Sequence, residues 1–200
     1  MVGGGGAARE GERVAEGIIA KAAKDWMRDA ESVGGRALAD SAEDGGRAAV
    51  RDTTTDVGKV FDNDHVGPLG TGNPANTFTD NRYFVGELEH DQVFFRAGDS
   101  AAARGDPALG QFWTSTAPES VSSVREDLAV LPEWPGGTSS PLNTGYAVTM
   151  PKGTRYYYGE VAPQAYKGAD LPGGGMQYYI EKPWDLYPPP RKLYEYPLPP

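Results

Sequence analysis

The feature that most limits how this chain can fold is its content of glycine and proline, which occupy 27 and 17 of its 200 positions. Both residues interrupt helices and strands, so regular elements must be short and joined by many turns. Their combined share stays below the roughly 25–30% typical of low-complexity disorder. We therefore expect a compact core of moderate size with long ordered loops.

The first 74 residues form a block rich in Gly, Ala, Asp, Glu and Arg, with few aromatic residues. Residues 13–30 carry apolar side chains at the i, i+4 spacing of an amphipathic helix, and residues 36–44 indicate a second, weaker helix. Gly67-Pro68-Leu69-Gly70 predicts a linker. We interpret residues 1–74 as a helical, glycine-rich linker or preceding segment, and we expect function not to need residues 1–70.

Residues 75–185 are predicted to form a β-rich domain, because short β-branched and aromatic runs alternate with glycine and proline. The predicted strands cover residues 93–96, 111–115, 146–150, 154–161 and 176–181. Thr116 and Glu119 have the spacing of a capping box, which predicts a helix over residues 117–130. Helices first and strands afterwards indicate an α+β protein.

Residues 186–200 form a tail rich in proline and tyrosine. From residue 183 onward, seven of eighteen positions are proline, which favours polyproline II. We expect the tail to drape over the domain or to be disordered. Binding in an aromatic-lined groove of a partner is an alternative.

Charge and composition exclude several classes of function. The net charge of −9 and the sequence pI near 4.7 argue against nucleic-acid binding. The chain has no cysteine and only two histidines, so no metal site is expected. No run of 18 apolar residues predicts a membrane span, and the N-terminus lacks the pattern of a signal peptide.

Two arginines are candidates for binding an anionic ligand. Arg96 ends an apolar run and is followed by Gly98, so its planar guanidinium could meet a phosphate that approaches the backbone closely. Arg125 follows an apolar position of the predicted helix and could reach the same pocket. Either could instead be a surface charge, and an exposed pair between Arg125 and a neighbouring acid would contribute little.

The segment from Gly110 to Ser115 supplies further candidates. Adjacent strand residues point to opposite faces, so only one of Phe112 and Trp113 can face a given pocket. The hydroxyls of Thr114 and Ser115 could bind a ligand or order the strand end. In the simplest alternative, one ring lies in the core and the other is half exposed.

The most specific pattern is the triplet Gly173-Gly174-Gly175 followed by Met176 and Gln177. A glycine triplet permits close backbone approach, and Gln177 is the first polar side chain after it, an amide that donates and accepts. The pattern indicates a small ligand held by the backbone at Gly174 and Gly175 and recognised by Gln177. A hairpin loop without a ligand is the alternative.

Together these stretches resemble the NAD glycohydrolase toxin family typified by the tuberculosis necrotizing toxin, whose fold is related to that of ADP-ribosyltransferases. That family shows, in order, Arg-Phe-Gly, Gly-x-aromatic-x-Ser/Thr, an Arg before Ala-Leu-Pro, and Gly-x-Ile/Val-Ala-Pro leading to Gly-Gly-Gly-x-Gln-Tyr. The corresponding stretches here are residues 96–98, 110–114, 125–132 and 159–178. This chain departs from the pattern by the insertion of residues 100–109, by Phe112 in place of a tyrosine, and by Glu126-Asp127.

The resemblance implies a mainly antiparallel β core in residues 75–185 that hydrolyses NAD, or NADP, to nicotinamide and ADP-ribose. NAD would be the substrate, with no cofactor and no metal. Residues 1–74 would then be a linker or pre-toxin segment. The resemblance also implies a secreted toxin that acts in the cytosol of a target cell and has a cognate immunity protein.

The resemblance also implies roles for individual residues. Arg96, supported by Arg125, would bind the pyrophosphate, and Phe112 or Trp113 would stack on the nicotinamide. Gln177 would orient the ribose or the attacking water, and Glu181 is a reserve carboxylate. The remaining substrate contacts would come from Thr114, Ser115, Gly174 and Gly175.

Two alternatives remain open. An ADP-ribosyltransferase that modifies a macromolecule would use Arg96, the run from Thr114 to Thr116, and Gln177 with Glu181, although three residues rather than one separate the last pair. A non-enzymatic β-rich interaction module is the other alternative. The eleven tyrosines favour the module, because tyrosine is common at interfaces.

Overall fold

The computed structural model describes residues 56–102 and 105–200. The chain divides into two units, Met1–Ala49 and Val50–Pro200, and the described residues belong to the second. The two helices expected within residues 13–44 lie outside the described residues. The described part consists mainly of antiparallel β-sheets with little helix.

The larger sheet has five strands: β1 (Val60–Phe61), β2 (Tyr83–Glu87), β4 (Phe112–Trp113), β6 (Arg155–Glu160) and β9 (Met176–Tyr179). Their order across the sheet is β1-β2-β6-β9-β4, and all neighbours are antiparallel. The short strand β4 therefore forms one edge. At the other edge β1 lies upstream of residue 75, where the predicted domain begins, so residues before that boundary contribute to the sheet.

The second sheet has three antiparallel strands in the order β10-β5-β3. They are β3 (Gln92–Gly98), β5 (Thr144–Met150) and β10 (Arg191–Pro197). A separate hairpin joins β7 (Gln164–Tyr166) to β8 (Ala169–Leu171). The prediction of polyproline II is wrong for β10, because this part of the tail pairs with β5 instead.

The single α-helix within the described residues, α1, spans Val121–Asp127 and is shorter than predicted. Its N-cap is Ser120, whose side chain accepts from the backbone N–H of Ser123 while the Ser123 side chain accepts from the Ser120 N–H. The predicted capping box at Thr116 and Glu119 is wrong, because the same reciprocal bonds form four residues later between two serines.

Two apolar clusters lie on opposite faces of the five-stranded sheet. The inner cluster joins the two sheets and contains Phe94, Trp113, Tyr146, Val148, Met150, Tyr178 and Ile180 among others. The outer cluster contains Ala75, Phe78, Tyr83, Val85, Tyr157 and Tyr179. Successive strand residues alternate between faces, so β9 contributes Tyr178 to the inner cluster and Tyr179 to the outer one.

Candidate functional site

Arg96 lies on the inner face of β3, where its guanidinium packs against the start of the edge strand β4. Its Cζ atom lies 5.8 Å from the centre of the Trp113 ring, and its Nη1 donates to the carbonyl of Pro107 at 2.9 Å. A Cβ atom on Gly110 would stand only 2.5 Å from Cζ. The guanidinium can therefore occupy this position only because residue 110 has no side chain.

The guanidinium of Arg96 has unused hydrogen-bonding capacity. Its Nε atom is buried and has no partner, and within the described ranges no carboxylate oxygen lies within 4.0 Å of the group. Burial lowers the pKa of Arg96, partly opposed by Tyr146 and Asp106. A desolvated cation without an acidic partner is a strong site for an anionic ligand.

The two aromatic residues of β4 face in opposite directions, as the alternation predicts. Trp113 is 1% exposed and belongs to the inner cluster. Phe112 is 39% exposed, and its ring lies 5.2 Å from that of Tyr179 on the outer face. Of the two rings, only that of Phe112 is open to a ligand in this conformation.

The hydroxyls of Thr114 and Ser115 contact the protein itself. The backbone N–H of Thr114 donates to the Phe95 carbonyl at 2.8 Å, and the Phe95 N–H donates back, which ties β3 to the end of β4. The Thr114 hydroxyl donates to the carbonyl of Thr116 at 2.7 Å. Burial raises the pKa of Tyr178, and a side-chain hydrogen bond with Ser115 opposes this rise.

The guanidinium of Arg125 binds three backbone carbonyls of the loop that follows α1. Nη1 donates to Val130 and Leu131, each at 2.8 Å, and Nη2 donates to Ser140 at 2.5 Å. Burial lowers the pKa of Arg125. In this conformation the side chain stabilises the loop, and most of its donors are already used.

The glycine triplet packs against the C-terminal end of α1. The N–H groups of Gly173 and Gly175 donate to the carbonyls of Glu126 and Asp127 at 3.0 and 2.9 Å, and that of Gly174 donates to Val161 at 2.9 Å. All three donors are therefore bonded within the protein. The glycines are needed for close packing, since a Cβ on Gly175 would lie 2.6 Å from the Asp127 carbonyl oxygen.

We expect Gly175→Ala to destabilise the protein by about 1–3 kcal/mol, because the added methyl must displace backbone rather than a flexible side chain. Chemical denaturation of the variant and the parent protein measures the difference. A loss below about 0.5 kcal/mol, the usual range for surface substitutions, would contradict this packing role.

Gln177 is 6% exposed and lies on the outer face of β9. Its amide nitrogen donates to the carbonyl and the hydroxyl of Thr77, at 2.9 and 3.1 Å. The side-chain oxygen accepts no hydrogen bond from any residue that the structure describes, so it stays able to accept one from water or a ligand. Gln177 thus anchors the turn Ala75–Thr77 to the sheet through one half of its amide.

Glu181 follows β9 and is exposed. Its charge contributes, after the larger effect of burial, to raising the pKa of Tyr179, and it also raises the pKa of Tyr157. Both tyrosines belong to the outer cluster. Glu181 therefore lies near the outer face that carries Gln177.

The candidate residues fall into two groups on opposite faces of the five-stranded sheet. Arg96 and Trp113 lie on the inner face, whereas Phe112, Gln177 and Glu181 lie on the outer face. The edge strand β4 is where the two groups come closest, because Gly110 contacts the guanidinium of Arg96 and Phe112 follows two residues later. Gly110 and Phe112 are therefore at most about 7 Å apart along the backbone.

Sequence reasoning missed two residues of the Arg96 environment. Gly110 was considered only as the start of a motif, and Tyr146 only as part of a strand. Tyr146 lies directly opposite Arg96 in the pairing of β3 with β5 and is fully buried. The sequence signal that could have identified Tyr146 is its hydroxyl, which places a polar group within an otherwise apolar predicted strand.

Comparisons with known proteins give partial structural similarity. No family model and no curated protein matches the chain. The solved structure of Tne2 in complex with Tni2 has a TM-score of 0.46 and 16% identity, over 58% of this chain and 92% of that chain. The structure of Tse6 in complex with Tsi6 has a TM-score of 0.42 and 14% identity, over 66% and 86% of the respective chains.

The described residues form neither a cluster of metal-ligating side chains nor a membrane-spanning helix. Within residues 56–102 and 105–200, no three His, Asp or Glu side chains come together as a metal site would require. No helix in this same part of the chain combines the length and apolarity needed to cross a membrane.

Proposed function

We propose that this domain binds NAD and hydrolyses the bond between nicotinamide and ribose. The observation that carries the proposal is the desolvated guanidinium of Arg96. Among the described residues it has no acidic partner, and its buried Nε forms no hydrogen bond. In a protein of net charge −9, such a group is explained by an anionic ligand. The NAD pyrophosphate is an anion of the required kind, and the resemblance of the sequence motifs favours it over others.

The chemistry of this reaction suits a site that has few catalytic groups. Breaking the N-glycosidic bond develops positive charge on the ribose, as in other glycosyl transfers. The nicotinamide leaves as a neutral molecule from a cationic starting state, so it needs little acid catalysis. The protein must mainly hold the substrate and orient a water molecule, which is a positioning task.

The edge of β4 is where we place the substrate. Nη1 of Arg96 is bonded to Pro107, while Nε and Nη2 form no hydrogen bond with any described residue and together present a two-pronged donor to the pyrophosphate. Phe112, two residues after Gly110, offers its partly exposed ring for stacking on the nicotinamide.

Gln177 is our candidate for orienting the water. Its amide nitrogen is fixed by Thr77, which leaves the oxygen held in one direction and able to accept a hydrogen bond from water. Arg125 and the glycine triplet support this arrangement from a distance, because their donors hold the loops beside α1.

Incubation of the purified protein with NAD tests the proposal, with free nicotinamide and ADP-ribose followed by chromatography. We expect both products in water without any protein acceptor. Neither turnover nor binding of NAD by a folded sample would reject the proposal and favour the interaction module.

We expect Gly110→Ala to reduce this hydrolysis at least tenfold while the melting temperature changes little. The new methyl would lie 2.5 Å from Cζ of Arg96, and the flexible end of the arginine can move away at small cost to the fold. Ala165→Val, which adds two methyl groups at an exposed position of β7 away from the site, serves as the control. Full activity of Gly110→Ala would show that the position of the guanidinium does not matter.

ADP-ribosyl transfer to a macromolecule is the second candidate. The observation in its favour is that Glu181 lies near the outer face that carries Gln177, as its effect on Tyr179 indicates. Transferases of this kind use a carboxylate close to the glutamine. Hydrolysis that proceeds only when a protein or nucleic-acid acceptor is added would favour this candidate over the first.

We further propose that the domain acts as a toxin in the cytosol of a target cell, where loss of NAD is lethal. A cell that makes it would then need a cognate immunity protein that blocks the site. The motif resemblance supports both statements. Growth arrest and a fall in cellular NAD on cytosolic expression, absent for an Arg96→Ala variant, would be the expected result.

A further inference from the structure

Three buried polar atoms, on Arg96 and two neighbouring side chains, have no hydrogen-bond partner within residues 56–102 and 105–200. They are Nε of Arg96, Nε1 of Trp113 and the hydroxyl of Tyr146. Trp113 is 1% exposed and Tyr146 is 0% exposed, so bulk water does not satisfy them. Buried polar groups are nearly always hydrogen-bonded, so a group of three such atoms points to a missing polar ligand.

The Tyr146 side chain lies on the same face of its sheet as the Arg96 side chain. The two residues are directly paired across β3 and β5, which places their side chains on one face about 5 Å apart at Cβ. A Cβ atom on Gly98 would lie 3.4 Å from Cε2 of Tyr146 and 3.8 Å from Nη2 of Arg96. Both side chains therefore pack beside Gly98, and no side chain at that position stands between them.

The surroundings of Tyr146 keep its hydroxyl protonated and available. Burial raises its pKa, Glu195 adds to the rise, and Thr144 and Arg96 oppose it. Thr144 lies near, but no hydrogen bond of acceptable geometry joins it to Tyr146, and its own hydroxyl donates to Asn143 at 2.7 Å. Glu195 accepts from Lys192 at 2.8 Å, and no hydrogen bond joins it to Tyr146.

We propose that the Tyr146 hydroxyl is a second binding donor of the Arg96 site and donates to a phosphoryl oxygen of the bound pyrophosphate. Arginine and tryptophan nitrogens only donate, so a ligand that satisfies all three atoms must present several acceptor oxygens. A pyrophosphate does so. This inference rests on the proposed function, in which Arg96 binds that group.

Tyr146→Phe separates a binding role from a structural one, because the hydroxyl it removes has no hydrogen-bond partner among the described residues. Removing an unsatisfied buried hydroxyl should leave the melting temperature unchanged or raise it. We expect the affinity for ADP-ribose, measured by calorimetry, to fall about tenfold, as for a lost hydrogen bond to a charged group. Tyr194→Phe, on the opposite face of its sheet and 53% exposed, is the control that should change neither property.

Gly98→Ala gives an independent test. Its methyl would make only ordinary contacts with Tyr146, Pro107 and Arg96, so the fold should tolerate it, yet it adds bulk beside both donors, where a ligand bound to them would lie. We expect it too to weaken ADP-ribose binding about tenfold or more.

The outcomes distinguish this inference from the proposed function. If the parent protein binds ADP-ribose but does not hydrolyse NAD, and Tyr146→Phe weakens binding, the Tyr146 site stands and the hydrolase proposal fails. If NAD is hydrolysed while Tyr146→Phe keeps full affinity for ADP-ribose and an unchanged KM for NAD, the Tyr146 role is rejected and the hydrolase remains. Absence of ADP-ribose binding by the parent protein also rejects it.

Discussion

Arg96→Lys should lower the kcat/KM for NAD by a factor of about 30 or more, although the positive charge is kept. Lysine offers a single ammonium and cannot present the adjacent Nε and Nη2 donors to a pyrophosphate. Loss of a charged hydrogen-bond pair costs about 2 kcal/mol or more in transition-state stabilisation. Arg96→Ala should be at least as severe, because it removes the charge as well.

The control for this experiment is Arg191→Lys, which changes an exposed arginine on β10. We expect its effect to stay below about 0.5 kcal/mol, as for most surface substitutions. Thermal melts of all variants show whether the loss of the bond to Pro107 affects folding. Near-parental efficiency of both the Lys and the Ala variants would remove Arg96 from the site.

Gln177→Ala should reduce NAD hydrolysis on the order of 100-fold, because the water would lose the acceptor that orients it. The same change removes two buried hydrogen bonds to Thr77, so we also expect a loss of about 1–3 kcal/mol in the free energy of unfolding. The assay must therefore be run where the variant is fully folded.

Thr77→Val is the matched control for Gln177. It removes one of the two acceptors of the Gln177 amide nitrogen but leaves the amide oxygen in place. If Gln177 acts on water, Thr77→Val should lower the free energy of unfolding but reduce kcat much less than Gln177→Ala does. An equal fall in kcat for both variants would mean that Gln177 only holds the turn Ala75–Thr77 against the sheet.

Much of the β core could be predicted from the sequence, because the apolar and aromatic runs that form β3, β5, β6 and β9 are local signals. The prolines of the tail predict polyproline II, which is wrong for residues 191–197. Strand β10 lies at the edge of its sheet, where proline is tolerated, and the partner β5 that pairs with it lies more than forty residues upstream.

The two candidate arginines show where sequence reasoning ends. Arg96 and Arg125 both stand beside apolar residues, and nothing local distinguishes them. In the structure the donors of Arg125 are used by three carbonyls of one loop, whereas Arg96 keeps an unpartnered Nε. That difference depends on where distant carbonyls lie, which a sequence pattern does not encode.

The sequence also does not determine which face of the sheet each aromatic residue of β4 occupies. Alternation predicts that Phe112 and Trp113 point in opposite directions, but which of them is buried depends on the sheet that packs against β4. In the structure the larger ring, that of Trp113, lies in the inner cluster. Likewise the glycine triplet predicts backbone donors that hold a ligand, whereas in the structure these donors bind α1 and Val161.

The bonds from the glycine triplet to α1 have a consequence for how the chain tolerates insertions. Moving β9 along its neighbours by one residue would turn Gln177 into the core and Tyr178 outward, exchanging the chemistry of the two faces. Three successive glycines would permit such slippage, but Gly173 and Gly175 are fixed to the end of α1. Insertions or deletions in the β7–β8 hairpin should therefore leave the register of β9 unchanged, because they lie before Gly173. One residue inserted after Gly175 should shift that register and abolish NAD hydrolysis.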